Sequence, residues 1–165
     1  MREALDSIDF AVLSELQQNG RLTTSELAPR VNLSQSPCWR RLNKLENSGV
    51  IRGYHAEIDR TKVDLGFLVF VMITLDYQSA VRVKEFQTEV VQIPEVVMFH
   101  SISGLEDYIL VVLSKDLDSF SNLLHSKLHQ LPGVSRLHTH ISLRELKGRI
   151  AEVPILMDGG LLKKL

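Results

Sequence analysis

The chain has 165 residues, a formal net charge of -1, 44% hydrophobic and 24% charged residues. That length suffices for a buried core and accommodates one domain or two small ones, while the near-neutral balance excludes a generally polybasic protein, so any nucleic-acid contact must be a local patch. No apolar run approaches the ~20 residues needed to cross a bilayer and no charged-then-apolar leader opens the chain, so a cytoplasmic protein with no membrane partner is expected. Cys38 is the only cysteine, which rules out an internal disulfide.

Asp6 begins a helical pattern, with Asp9 three residues on and Leu5, Ile8, Val12, Leu13 and Leu16 three and four apart; Gly20 ends it. Thr23 and Glu26 form a capping box for a second, short helix that carries Leu27 and Val31 inward. Pro29 removes one internal hydrogen bond there and predicts a kinked or short helix. Asn32 makes the turn, since asparagine tolerates a left-handed backbone.

Residues 34–49 then read as a two-faced helix. At 100° per residue Cys38, Leu42 and Leu45 share one stripe, while Ser36, Arg40, Asn43 and Lys44 gather opposite. Ser34 or Ser36 can cap its start, Pro37 fits a first turn, and Gly49 supplies a left-handed stop. Arg40, Arg41 and Lys44 against the single Glu46 make a cationic surface suited to phosphates and to the acceptor edge of guanine. Taken alone, such a helix is more often merely solvated surface. Preceded by a helix, a short helix and a tight turn, it completes the order of a helix-turn-helix, and Gln35, Ser36, Trp39, Arg40, Arg41, Asn43 and Lys44 are its expected contacts with double-stranded DNA. Residues 50–59 have β-branched, alternating character and predict a strand leading out of this module.

These blocks resemble the Lrp/AsnC family of bacterial and archaeal transcriptional regulators. The marks are Leu5-Asp6-Ser7-Ile8-Asp9, Leu33-Ser34 with Ser36, Arg40-Arg41-Leu42 with Leu45-Glu46, and residues 49–54. Asn32, where glycine is more usual, and Pro29 depart from the pattern.

Farther on, residues 67–75 form an apolar run of strand length. Ser79 caps a helix with Val83, Phe86, Val90 and Ile93 inward, stopped by Pro94. Residues 96–102 and Tyr108 to Leu113 read as an antiparallel pair around Gly104-Leu105-Glu106-Asp107. A helix over 116–130 places Leu117, Phe120, Leu124, Leu128 and Leu131 on one face, and Pro132-Gly133 ends it. Residues 134–147 alternate, with Leu137, Thr139, Ile141 and Leu143 on one side. The order is βαββαβ, the ferredoxin-like split, which leaves one apolar sheet face without helices and so implies a partner.

The second half resembles the same family's effector domain through Ser103-Gly104 with Asp107-Tyr108, Leu131-Pro132-Gly133-Val134 and Thr139. The resemblance implies a homodimer that can build into tetramers or octamers, and an amino-acid effector bound between subunits near the glycine turn, at Ser103, Gly104, Leu105, Glu106 and Asp107. Backbone N–H groups of such a turn can hold a carboxylate, and an aspartate an ammonium; a plain hairpin turn uses the same residues.

His138 and His140 share a strand face, but a metal needs three or four converging ligands and no cysteine joins them, so no metal site is expected. No nucleophile elbow, zinc-protease, P-loop or dinucleotide motif occurs, and neither cofactor nor enzymatic activity is expected. Some haem-pathway decarboxylases, of the siroheme type, resemble the family and keep both domains; they are the competing expectation, against which Arg40, Arg41 and Lys44 weigh.

The expected fold class is α+β: a winged-type helix-turn-helix DNA-binding domain over 1–52, a connecting strand and hinge over 53–64, a ferredoxin-like effector and oligomerisation domain over 65–147, and a flexible or oligomer-docking tail over 148–165.

Overall fold

Asp6 shows how locally the first helix is specified. Its Oδ1 accepts the N–H groups of Ile8 and Asp9, each at 2.9 Å, while Asp9 Oδ2 accepts the Asp6 N–H at 3.1 Å. Two orphan donors of a helix start are thereby satisfied reciprocally, and α1 runs Ser7–Gln18. In the computed structural model the described residues are 4–76, 79–146, 156–157 and 160–161. The chain divides into two compact units, Met1–Ala56 and Glu57–Leu165.

In the first unit, Thr23 and Glu26 form the second capping box and start α2, Thr24–Arg30. Pro29 sits inside it, and the helix is short as expected, ending one residue later. The chain then reverses through Asn32 at φ 54, with Leu33 N–H donating to the Ala28 carbonyl at 2.9 Å. Helix α3 covers Gln35–Asn47.

Ser34 occupies its N-cap position, yet its side chain makes no capping hydrogen bond, against expectation. The reason lies in Pro37, three residues on, which lacks the N–H that a serine cap ordinarily accepts. Gly49 at φ 73 stops the helix, and Ile51 N–H donates to the Leu45 carbonyl at 3.0 Å. Val12, Leu16, Leu27, Ala28, Val31, Cys38 and Leu45 make the core of this unit.

Residues 50–59 do not form the expected strand. Alternation of β-branched residues favours extended backbone, but a ladder requires a neighbour, and none among the described residues pairs with this segment. It folds back instead: the Tyr54 O–H donates to Glu46 Oε1 at 2.9 Å, and a Cβ on Gly20 would stand 3.3 Å from the Tyr54 ring.

The second unit opens with a 3-10 turn, Arg60–Val63, capped by Asp59. Strand β1 (Phe67–Leu75), helix α4 (Ala80–Val91), strands β2 (Val96–Ser101) and β3 (Tyr108–Ser114), helix α5 (Leu117–Ser126) and strand β4 (Val134–Ile141) follow in the expected βαββαβ order. The sheet order is β2-β3-β1-β4 with antiparallel neighbours throughout. Val69, Val71, Ile73, Leu110 and Val112 point to the helices, against Phe86, Val90, Phe120, Leu123 and Leu128. The opposite face is partly covered: Leu65 packs with Leu68, Val111 and Leu113, but Phe70 and Met98 remain 37% and 42% exposed.

Two further expectations are corrected. Helix α5 breaks at Lys127, so Leu128 and Leu131 reach the core from a separate 3-10 turn; Leu123 is buried, while Leu117 is 55% exposed. Strand β4 ends at Ile141, opposite Val69, with Ser142 N–H making a last bond to the Leu68 carbonyl; β1 continues to Phe67 paired with β3 alone, and Leu143 is 97% exposed. The expected tail over 148–165 lies outside the described residues, apart from Leu156–Met157 pairing with Gly160–Leu161.

Candidate nucleic-acid interface and effector loop

Helix α3 buries Cys38 and Leu45 and turns Gln35, Ser36, Trp39 and Arg40 to solvent; Trp39 is 55% exposed. Asn43 and Lys44 are half-buried beside that strip. These residues form one continuous band because positions 35, 36, 39, 40, 43 and 44 recur at helical spacing. The band carries the exposed Trp39 ring together with Arg40 and the amides of Gln35 and Asn43. It offers donors, an acceptor and an apolar body to a groove.

Arg41 is placed differently. Its Nη1 lies 2.7 Å from Asp6 Oδ2 and 2.7 Å from Asp9 Oδ1, and Asp9 is buried. Around the helix axis Arg41 falls about 40° from Leu45, on the packing side, whereas Arg40 faces out. The two carboxylates hold its guanidinium above the ordinary arginine range. Asp6 is held below the usual carboxylate range, chiefly by the Asp9 backbone N–H and then by Arg41. Sequence reading found Asp6 and Asp9 as a cap but not as partners of a residue 32 positions away.

Burial raises the Cys38 thiol pKa, which suits a packing role. Tyr54 is pushed up to about 12, by burial first and by Glu46 second.

In the second unit, Ser103, Gly104 and Leu105 are exposed between β2 and β3, Leu105 by 91%. Gly104 has φ 147 with nothing within 4 Å of a built Cβ, so its backbone conformation, not crowding, asks for glycine. Asp107 anchors the loop: its Oδ2 accepts the Leu75 N–H at 2.8 Å, its N–H donates to the Ile73 carbonyl at 2.9 Å, and its carbonyl accepts the Ile102 N–H at 2.9 Å. Glu106 is half-buried with Oε1 3.7 Å from His138 Nδ1 on β4. The loop is therefore hydrogen-bonded to β1 as well as to the hairpin it closes, and lies close to β4 through Glu106. In the sequence His138 pairs only with His140 on a strand face, and no spacing links it to Glu106.

Two protein-family models cover these units. A winged helix-turn-helix DNA-binding model matches residues 5–52, and an Lrp/AsnC ligand-binding-domain model matches residues 68–151. The chain belongs to the Lrp/AsnC family. Among its relatives, the leucine-responsive regulatory protein of Escherichia coli strain K12 is 38% identical over 143 residues, 87% of each chain. The leucine-responsive regulatory protein of Rhizobium meliloti is 36% identical over 147 residues, 89% of this chain and 94% of that one. A transcriptional regulator of Neisseria meningitidis, solved in complex with L-Met, superposes with a TM-score of 0.85 at 34% identity, covering 91% of this chain and 97% of that one. An AsnC-family regulator of Agrobacterium tumefaciens gives the same TM-score and coverage at 33% identity.

This Lrp/AsnC protein is thus a DNA-binding transcriptional regulator with a winged helix-turn-helix unit and an α+β ligand-binding unit, as expected. Its relatives are regulators, and nothing in these comparisons favours the decarboxylase. Among the described residues no helix is long and apolar enough to cross a membrane, and no group of three or more histidine, cysteine or acidic side chains could hold a metal ion.

Proposed function

We propose that this regulator acts in the cytoplasm, without enzymatic activity, as a homodimer or a higher assembly of dimers whose grip on a specific DNA site is altered by a free amino acid. Residues 1–52 carry DNA reading, 53–64 the connection, 65–147 assembly and effector sensing, and 148–165 a tail. The observation that carries the DNA face is the exposed band Gln35, Ser36, Trp39 and Arg40 on α3, continued by Asn43 and Lys44. Two such helices, one per subunit, would enter successive major grooves of a near-palindromic site.

Dimerisation through the sheet face opposite the helices is supported by the exposure of Phe70 and Met98 on it. For the effector, support comes from the relative bound to L-Met and from the exposed loop Ser103, Gly104, Leu105, Glu106 and Asp107. An amino acid offers a carboxylate to the loop's N–H groups and an ammonium to Glu106 or to the second oxygen of Asp107. It acts only if it binds one assembly better than another.

The test is selection of a duplex from a random pool by the full chain, followed by titration of salt and of single amino acids while mass is followed in solution. Selective, salt-sensitive binding that one amino acid shifts is expected. Binding no tighter than to unrelated duplex, or indifference to all twenty amino acids, overturns the corresponding half.

A further inference from the structure

We propose that Arg41 is a positioning residue that sets how the DNA-reading face of α3 is presented, and is not itself part of that face. This rests on reading α3 as the helix that contacts DNA.

One nitrogen, Nη1, lies 2.7 Å from both Asp6 Oδ2 and Asp9 Oδ1. Neither acid is free to wander. Asp6 Oδ1 holds the N–H groups of Ile8 and Asp9, and Asp9 Oδ2 holds the Asp6 N–H, so both carboxylates are fixed in the frame of α1. Asp9 is 1% exposed, and a carboxylate that has left water needs a cation. Arg41 supplies it from the middle of α3.

The buried apolar residues that α1 and α3 contribute are Val12, Leu16, Cys38 and Leu45, and apolar burial is non-directional. Charge-assisted hydrogen bonds are directional. The Arg41 link therefore decides the rotation of α3 about its own axis, and with it where Trp39 and Arg40, on the far side of the helix, meet a groove.

This role inverts the sign of a simple electrostatic expectation. Were Arg41 a phosphate or guanine contact, neutralising Asp9 would release the guanidinium, remove a negative charge and strengthen DNA binding. A positioning role requires the same change to weaken it.

The experiment uses the full chain, a duplex selected by the wild-type protein from a random pool, and an unrelated duplex, with dissociation constants measured against KCl. Arg41→Gln and Asp9→Asn are each expected to weaken the selected duplex at least ~tenfold, with little change on unrelated duplex and an unchanged log–log salt slope; loss of a phosphate contact lowers that slope by about one. Arg41→Lys is expected to stay within ~threefold of wild type, because a single nitrogen makes both contacts and an ammonium can stand in its place.

A slope lowered by about one in Arg41→Gln, or tighter binding by Asp9→Asn, overturns the proposal. If Arg41→Gln does not fold, Arg41→Lys still decides: a variant that melts like wild type yet binds the selected duplex tenfold more weakly shows a guanidinium contact and overturns it. A wild-type protein that selects no sequence defeats the DNA-reading helix itself, and this role with it.

Discussion

The Tyr54 hydroxyl donates to Glu46 Oε1 at 2.9 Å, tying the segment that leaves the helix-turn-helix back to the last turn of α3. Partial burial and then the Glu46 carboxylate disfavour the ionised phenol, and its pKa is pushed up to about 12. A group whose folded pKa is raised contributes stability that is fully present below its unfolded value near 10 and is lost as pH rises through the folded value. In an ultraviolet phenolate titration, Tyr54 is expected to ionise near pH 12, and Tyr54→Phe to remove that step. The same variant should lower stability by less than about 1 kcal/mol, since the bond is solvent-accessible. A titration near pH 12 that Tyr54→Phe leaves unchanged would contradict the contact.

The acid limb has the opposite sign. Asp6 is held below its ordinary range by the Asp9 N–H and Arg41, and Glu26 by the Thr23 hydroxyl and N–H. Groups with lowered pKa contribute stability that is present above their unfolded values, near 4, and lost as pH falls through the folded values. Trp39 is the only tryptophan, so its fluorescence reports on the first unit. Its melting temperature should be flat from pH 7 to about 5 and fall below about 4; replacing Glu26 with Gln should flatten part of that fall. A melting temperature independent of pH down to 3 would show that neither carboxylate is specially held.

Cys38 is fully buried, and desolvation raises its thiol pKa. A neutral, enclosed thiol is a poor nucleophile. Labelling by a disulfide reagent at neutral pH is expected to be at least ~100-fold slower in the native protein than in denaturant. Rapid native labelling would mean that the core between α1 and α3 opens far more readily than this packing implies.

Asp107 holds the effector loop to the end of β1 through the Leu75 N–H. Asp107→Ala leaves that amide without its acceptor, so hydrogen exchange at Leu75 should accelerate at least ~tenfold while Val71, in the middle of the same strand, stays protected. Should the amino-acid response vanish in the same variant with the DNA affinity intact, the loop is part of the effector site. An unchanged exchange rate at Leu75 would mean that some other acceptor satisfies it.

Much of this protein was legible in one dimension. The two capping boxes, the left-handed Asn32 and Gly49, the short α2 around Pro29 and the βαββαβ order all follow from local chemistry: each depends on residues within one turn or on a hydrophobic period. The basic helix after a tight turn carried the DNA-binding reading for the same reason, because spacing along a helix defines its faces before any fold exists.

Tertiary structure decided what depended on partners far along the chain. Arg41 and Arg40 are adjacent and chemically alike, yet the one is taken by Asp6 and Asp9 some thirty positions earlier while the other faces water. Residues 50–59 have the composition of a strand, but no ladder forms within the described chain, and Tyr54 bonds to Glu46 instead. Strand β4 stops at Ile141, opposite Val69 of β1, although its own alternating pattern runs on to Leu143. Propensity and periodicity describe what a segment can do by itself; pairing of charges and of strands requires a second segment, and only the folded chain specifies which one arrives.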